Sequence, residues 1–195
     1  MNYYYLVASL PSLSFAAAPH LSFEAFGCLC REHLSAADRR GLEEIERGPD
    51  YAGRHPFVRA WQAMDIQLRN ALARHRAARR RLDAEPFYRV ETGCSAAVER
   101  IAAEAFTKND PLQRERLIDR FRWDEADELA GFNMFAGRAV LAYAVKLGIA
   151  ERWSGMKEDV GARVAHGIVS GESKRSSVTS DRESGGNQRS VKSDW

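Results

Sequence analysis

The sequence predicts an all-α protein, an irregular multi-helix bundle of six or seven helices followed by a disordered C-terminal tail. Three observations carry this expectation. Apolar residues recur at intervals of three and four through most of residues 1–170, capping and breaking residues fall between those runs, and apolar residues nearly vanish from Gly171 to Trp195. The domain division follows: a helical domain over 1–170 and a polar tail over 171–195, which holds too little apolar surface to offset the entropy of ordering it.

The elements follow in order. Ser22 precedes Phe23, Phe26, Leu29 and Cys30, a cap followed by an apolar face at helical spacing. Ser35 with Asp38 opens a more polar helix through Leu42 and Ile45, and Gly48-Pro49 stops it. The longest helix is expected from Pro56, where Phe57, Trp61, Met64, Leu68 and Leu72 form one continuous stripe. Running to Leu82, it would be roughly 40 Å long. Glu85-Pro86 breaks the pattern, since the residue before a proline disfavours helix. Thr92 or Ser95 caps the next helix, which carries Val98, Ile101, Ala102, Ala105 and Phe106.

Asp110-Pro111 opens another helix, with Gln113 placed for a capping box and Leu117, Ile118 and Phe121 on its apolar side. Asp124 is read as the cap of a further stretch carrying Leu129, with Asp127 and Glu128 near the positive end of its dipole. Gly131-Phe132-Asn133 interrupts, and Ala139, Val140, Tyr143 and Leu147 continue on a second helix. Ser154 is read as the start of the last one, through Val160, Val164 and Ile168. Only Tyr3 to Ala8 and Phe87 to Glu91 have the aromatic and β-branched content of competing strands. The expected core is Phe57, Trp61, Leu68, Leu72, Ile101, Phe106, Phe121, Val140, Tyr143 and Leu147.

Composition narrows the class. A chain of 195 residues with 45% hydrophobic and 29% charged residues can bury a real core and reads as an ordinary soluble protein. Its net charge of +2 announces neither a nucleic acid nor a membrane. Cys28, Cys30 and Cys94 make an odd count without the four converging ligands that zinc needs, so they read as reduced structural thiols of the cytosol. Ala16-Ala17-Ala18 resembles a cleavage site, but no Lys or Arg precedes Arg31, so a secretory leader is not expected. No stretch approaches the ~20 apolar residues of a membrane span. A cytoplasmic protein is the expectation.

Catalytic signatures are missing from the sequence. It has no phosphate-binding glycine loop, no dinucleotide fingerprint, no His-Glu-x-x-His and no Gly-x-Ser-x-Gly elbow. The histidines at 20, 33, 55, 75 and 166 are scattered without partners at ligand spacing. The reading is therefore a protein that is not an enzyme, with no catalytic residue, no metal site and no cofactor.

One segment is unusual. Arg69, Arg74, His75, Arg76, Arg79, Arg80 and Arg81 fall close together with no acid from 69 to 81. Such a helix could contact phosphates in a salt-dependent way, lie on an anionic membrane, or pair with carboxylates of this chain or a partner. No aromatic stacking platform or recognition-helix pattern accompanies the arginines, and residues 83–128 hold an acidic excess. Pairing within the chain or with a protein partner is preferred; a nucleic-acid-binding helical protein using Arg69 to Arg81 is the alternative.

Three ordered stretches carry a family resemblance. The opening Met1-Asn2-Tyr3-Tyr4-Tyr5-Leu6-Val7-Ala8-Ser9-Leu10-Pro11 resembles the start of short proteins encoded among bacterial V/A-type ATPase subunits. Trp61-x-x-x-Asp65-x-x-Leu68-Arg69-Asn70-x-Leu72-Ala73-x-x-Arg76 is similar to their middle helix and to a pattern of the central-stalk component known as C in prokaryotes and d in eukaryotes. The stretch from Ala142 through Tyr143, Lys146 and Leu147 to Glu151-Arg152-Trp153 resembles the end of the same family.

The resemblance covers residues 1 to about 170. It implies a non-catalytic helical subunit or assembly factor of a V/A-type rotary ATPase that couples the central stalk to the membrane ring. The implied partners are stalk or ring subunits, and the membrane is reached only through the complex, at its inner face. The chain departs from the full stalk component in being far shorter and in lacking its threefold helical repeat. The residues singled out for partner binding are Asp65, Arg69, Arg76, Arg79, Arg80, Arg81, Lys146 and Trp153. Asp65 and Arg69 lie one turn apart and can pair on the helix surface. Trp153, like Tyr143, can bury its ring while its polar atom reaches a partner. Internal packing and contact with a partner both remain open for these positions.

Overall fold

Seven α-helices and one 3-10 turn make up the described residues of this computed structural model, which are 2–48, 52–89, 93 and 95–156. The helices are α1 (Tyr4–Ser9), α2 (Phe23–His33), α3 (Ala36–Glu46), α4 (Pro56–Arg80), α5 (Ala96–Thr107), α6 (Pro111–Ala130) and α7 (Gly137–Gly155), with the turn at Glu85–Phe87. The caps account for most of the starts. Ser22 and Ser35 accept from the backbone N–H groups of Ala25 and Asp38, and Asp110 accepts from Leu112. Pro56 and Pro111 occupy first-turn positions, where a missing N–H costs nothing. Arg81 ends α4 in the left-handed region at φ 55°, a conformation a non-glycine residue seldom adopts.

Two apolar clusters form. The larger gathers Leu6, Phe26, Leu42, Phe57, Trp123 and Leu141 around α7. That helix buries residues on every side, from Val140 and Leu141 through Ala144, Val145 and Leu147 to Ile149 and Ala150, so it is the central post of this half. The smaller cluster packs Leu68 and Leu72 of α4 against Val98, Ala102 and Phe106 of α5 and Ile118 of α6. Helices α4 and α6 contribute to both clusters and join them. The N-terminal segment is pinned to the start of α7: Tyr3 donates its N–H to Phe135 at 2.7 Å, and Asn2 bridges to Ala136.

The all-α expectation holds, and neither competing segment forms a strand over its described residues: Tyr4 to Ala8 lie in α1, and Phe87 ends the 3-10 turn with Tyr88 and Arg89 outside any helix. Two expected helix starts are corrected. Asp124 caps nothing: α6 runs unbroken from Pro111 to Ala130, and Asp124 sits exposed in its middle, 3.3 Å from Arg120. Asp127 and Glu128 consequently stand at the negative end of the α6 dipole, where Lys146 offsets Asp127 at 2.6 Å. Ser154 lies inside the last turn of α7, its hydroxyl donating to the Glu151 carbonyl, and starts no new helix there. Val160, Val164, Ile168 and the tail 171–195 lie outside the described residues, as do Thr92, Cys94 and His166. In the expected core, Trp61, Ile101, Phe121 and Tyr143 are half-buried rather than enclosed.

Candidate functional site

The junction of α4, α6 and α7 holds a network of charges. Asp65 is buried, and its two oxygens serve two arginines. Oδ2 accepts from Arg69 Nε at 2.7 Å, one turn along α4, while Oδ1 accepts from Arg122 of α6 at 3.0 and 2.8 Å. Arg122 also donates to Asp119 Oδ1 at 3.0 Å. Asp119 is fully buried, and its Oδ2 accepts from the Trp153 indole at 2.9 Å and pairs with Arg152. Two carboxylates and three guanidiniums thus clamp three helices. Burying such charges is costly, and good geometry with every oxygen engaged is what offsets that cost. The expected pairing of Asp65 with Arg69 is present, with the carboxylate buried and the Arg69 side chain partly exposed.

Beside this network lies a groove of about 810 Å³ between the C-terminal half of α4 and the α5–α6 corner. Its floor is apolar, with Leu72, Ala77, Phe106 and Ile118, and the exposed Leu82 and Phe87 stand at its edge. Arg69, Arg76, Arg79, Arg80, Arg114 and Arg122 line it against one acid, Glu115. Arg69 and Arg122 are neutralised by the network. Arg79 and Arg114 flank the Phe106 ring, with guanidinium carbons 5.5 and 4.9 Å from its centroid, and His75 stacks on the same ring at 5.2 Å. Both arginines are anchored on carbonyl oxygens rather than carboxylates: Arg79 donates to Phe106, and Arg114 donates to Ala105 and Lys108. Their positions are set, and neither pairs with a carboxylate among the described residues.

A second polar constellation closes the other half of the molecule. Asp38 accepts from Tyr3 Oη at 2.5 Å, Ser35 Oγ at 2.8 Å and His55 Nε2 at 3.2 Å. His55 Nδ1 in turn accepts from Phe57 N, the N-cap contact of α4, so the partners define the tautomer and engage both ring nitrogens. Burial pushes the Asp38 carboxyl upward, but the hydrogen bonds from Tyr3, Ser35 and His55, with a smaller electrostatic contribution from His55, outweigh it. The group is held below the usual carboxylate range. Its carboxylate fits only because position 137 has no side chain: a Cβ on Gly137 would overlap both oxygens of Asp38. The arrangement locks α1, α3, α4 and α7 together.

The eight residues singled out in the sequence therefore separate. Asp65, Arg69 and Trp153 belong to the internal network, and Arg76, Arg79 and Arg80 to the groove. Arg81 caps α4, and Lys146 is occupied by Asp127 and lies over the Trp123 ring at 5.3 Å. Sequence reasoning missed Asp119, Arg122 and Arg114. Asp119 and Arg122 stand three residues apart on one helix, and a charged pair beside the apolar Ile118 was the available signal.

Among the described residues no group of His, Cys, Asp and Glu is placed to hold a metal, and no helix is long and apolar enough to cross a membrane. Residues 96–174 match the model of a family described as a protein of unknown function, DUF2764. No curated protein and no solved structure matches the chain. The matched span takes in α5, α6 and α7, hence Phe106, Arg114, Asp119, Arg122 and Trp153, and leaves α1 to α4 outside it.

Proposed function

We propose that this chain is a non-catalytic helical subunit or assembly factor of a V/A-type rotary ATPase, placed on the cytoplasmic side and joining central stalk to membrane ring. One observation carries the reading beyond the motifs themselves: the three stretches that resemble the ATPase-associated family meet in one body. Tyr143 of the last stretch donates its hydroxyl to the Pro11 carbonyl of the opening one at 2.9 Å. Asp65 and Arg69 of the middle stretch share the network that ends on Arg152 and Trp153 of the last. Two of the stretches build one clamp and the third is tied to the same helix α7, which supports their being a single family signature rather than three coincidences. The basic end of α4 stays outside that clamp and is the surface we assign to a partner.

The experiment is affinity purification of the full chain from its own cells, with identification of the bound proteins by mass spectrometry. Stalk or ring subunits of a rotary ATPase are expected in stoichiometric amounts, and the coding sequence should stand among their genes. Recovery of no ATPase subunit at any salt concentration, from folded protein, would end this reading.

A further inference from the structure

We infer that the groove beside α4 is a docking site for an acidic amphipathic helix of a partner protein. The inference rests on the reading of this chain as a protein-binding subunit and gives the partner a chemistry. The charges say what sign it carries. Arg76 and Arg80 are exposed and have no ion-pair partner among the described residues, and Arg79 and Arg114 are tethered to carbonyl oxygens. Four arginines thus face one glutamate, Glu115, across the same groove. Tethering removes much of the side-chain entropy that a carboxylate would otherwise have to overcome on binding.

The floor says what kind of anion fits. A phosphate chain needs no apolar seat, whereas Leu82 and Phe87 expose more than half of their surface at the edge of this groove. Stacked bases would need an open aromatic face. Phe106 offers none, because His75, Arg79 and Arg114 already surround its ring, and Phe87 alone does not make a platform for successive bases. A helix with leucine-like anchors on one side and carboxylates flanking them satisfies both features. From Arg69 to Arg80 the α4 wall runs roughly 16 Å, room for about three turns.

The test uses the purified full chain and a fluorescein-labelled synthetic helix about five turns long, with leucines at three- and four-residue spacing flanked by glutamates. Fluorescence anisotropy should show saturable binding that weakens as salt rises. R76E/R80E should weaken it by about tenfold or more, and Phe87→Ala by about threefold. Replacing the peptide's leucines by serine should abolish binding. Should the double variant unfold, Arg80→Gln in the folded chain gives the same comparison. No binding of the peptide, or binding indifferent to these substitutions, would overturn the inference. Tighter binding of a single-stranded oligonucleotide that displaces the peptide would also overturn it, in favour of a nucleic-acid site. Because purified components are used, failure here leaves ATPase co-purification untouched, and failure of co-purification leaves the groove's chemistry untouched.

Discussion

The indole N–H of Trp153 donates to Asp119 Oδ2 at 2.9 Å, joining the end of α7 to a carboxylate with no solvent exposure in the middle of α6. The bond explains why the Trp153 ring is only half-buried yet fixed in position: its polar atom points inward. It also gives Asp119 a neutral donor in addition to Arg122 and Arg152, so both carboxylate oxygens are engaged.

Removing that carboxylate should therefore be severe. Asp119→Ala leaves Arg122 half-compensated and the indole without its acceptor, and should cost about 3–5 kcal/mol in urea unfolding followed by circular dichroism. Asp127→Ala breaks an ion pair of similar length whose carboxylate side chain is 56% exposed, and should cost less than about 1 kcal/mol. Equal losses for the two variants would show that the buried network does not hold the helices.

Core truncations should follow observed burial rather than sequence periodicity. Phe57→Ala and Leu68→Ala remove enclosed side chains and should cost about 2–5 kcal/mol each. Trp61→Ala, on the same stripe but half-buried, should cost less, about 0.5–3 kcal/mol. A Trp61 loss larger than that of Phe57 would contradict the placement of the ring at the edge of the main cluster.

These comparisons show what periodicity can and cannot reveal. The stripe of α4 and the caps Ser22, Ser35 and Asp110 were legible because they act within one or two turns. The unbroken α6 was not. Asp124 looks like a cap in a short window, but nothing before it breaks the helix, and Arg120 one turn earlier pairs with it in place. The groove was half legible: the arginines of α4 stand out in the sequence, while Arg114 and Phe106 reach them only through the packing of α5 and α6 on α4. Asp119 was only partly legible: Arg122 stands three residues away on the same helix, but Arg152 and Trp153 reach it from α7.

Acid should weaken the first half of the molecule through Asp38. Its carboxyl is held below the usual range in the folded state, so its contribution is fully present above the unfolded pKa near ~3.9. That contribution is lost as pH falls through the lower folded value. Asp38→Asn should flatten this part of the acid limb of a stability–pH profile and lower stability at neutral pH. A variant that keeps the wild-type slope below pH ~4 would mean that other carboxylates carry it.

The two described cysteines should differ sharply in reactivity although one residue separates them. Cys28 is exposed on α2, its sulfur 2.8 Å from Arg31 Nη2. Cys30 is enclosed in the main cluster, where burial first and the Glu46 carboxylate second push its thiol up to about 12. At pH ~8 its thiolate fraction is then roughly 10⁻⁴, and the reagent has no path to it without opening α2. In a Cys94→Ser background, iodoacetamide should label Cys28 within minutes under native conditions. Cys30 should label only at the rate of unfolding, rising with added urea. Glu46→Gln should leave Cys30 slow, because burial is the larger cause; rapid native labelling of Cys30 in either protein would show that α2 does not pack as described.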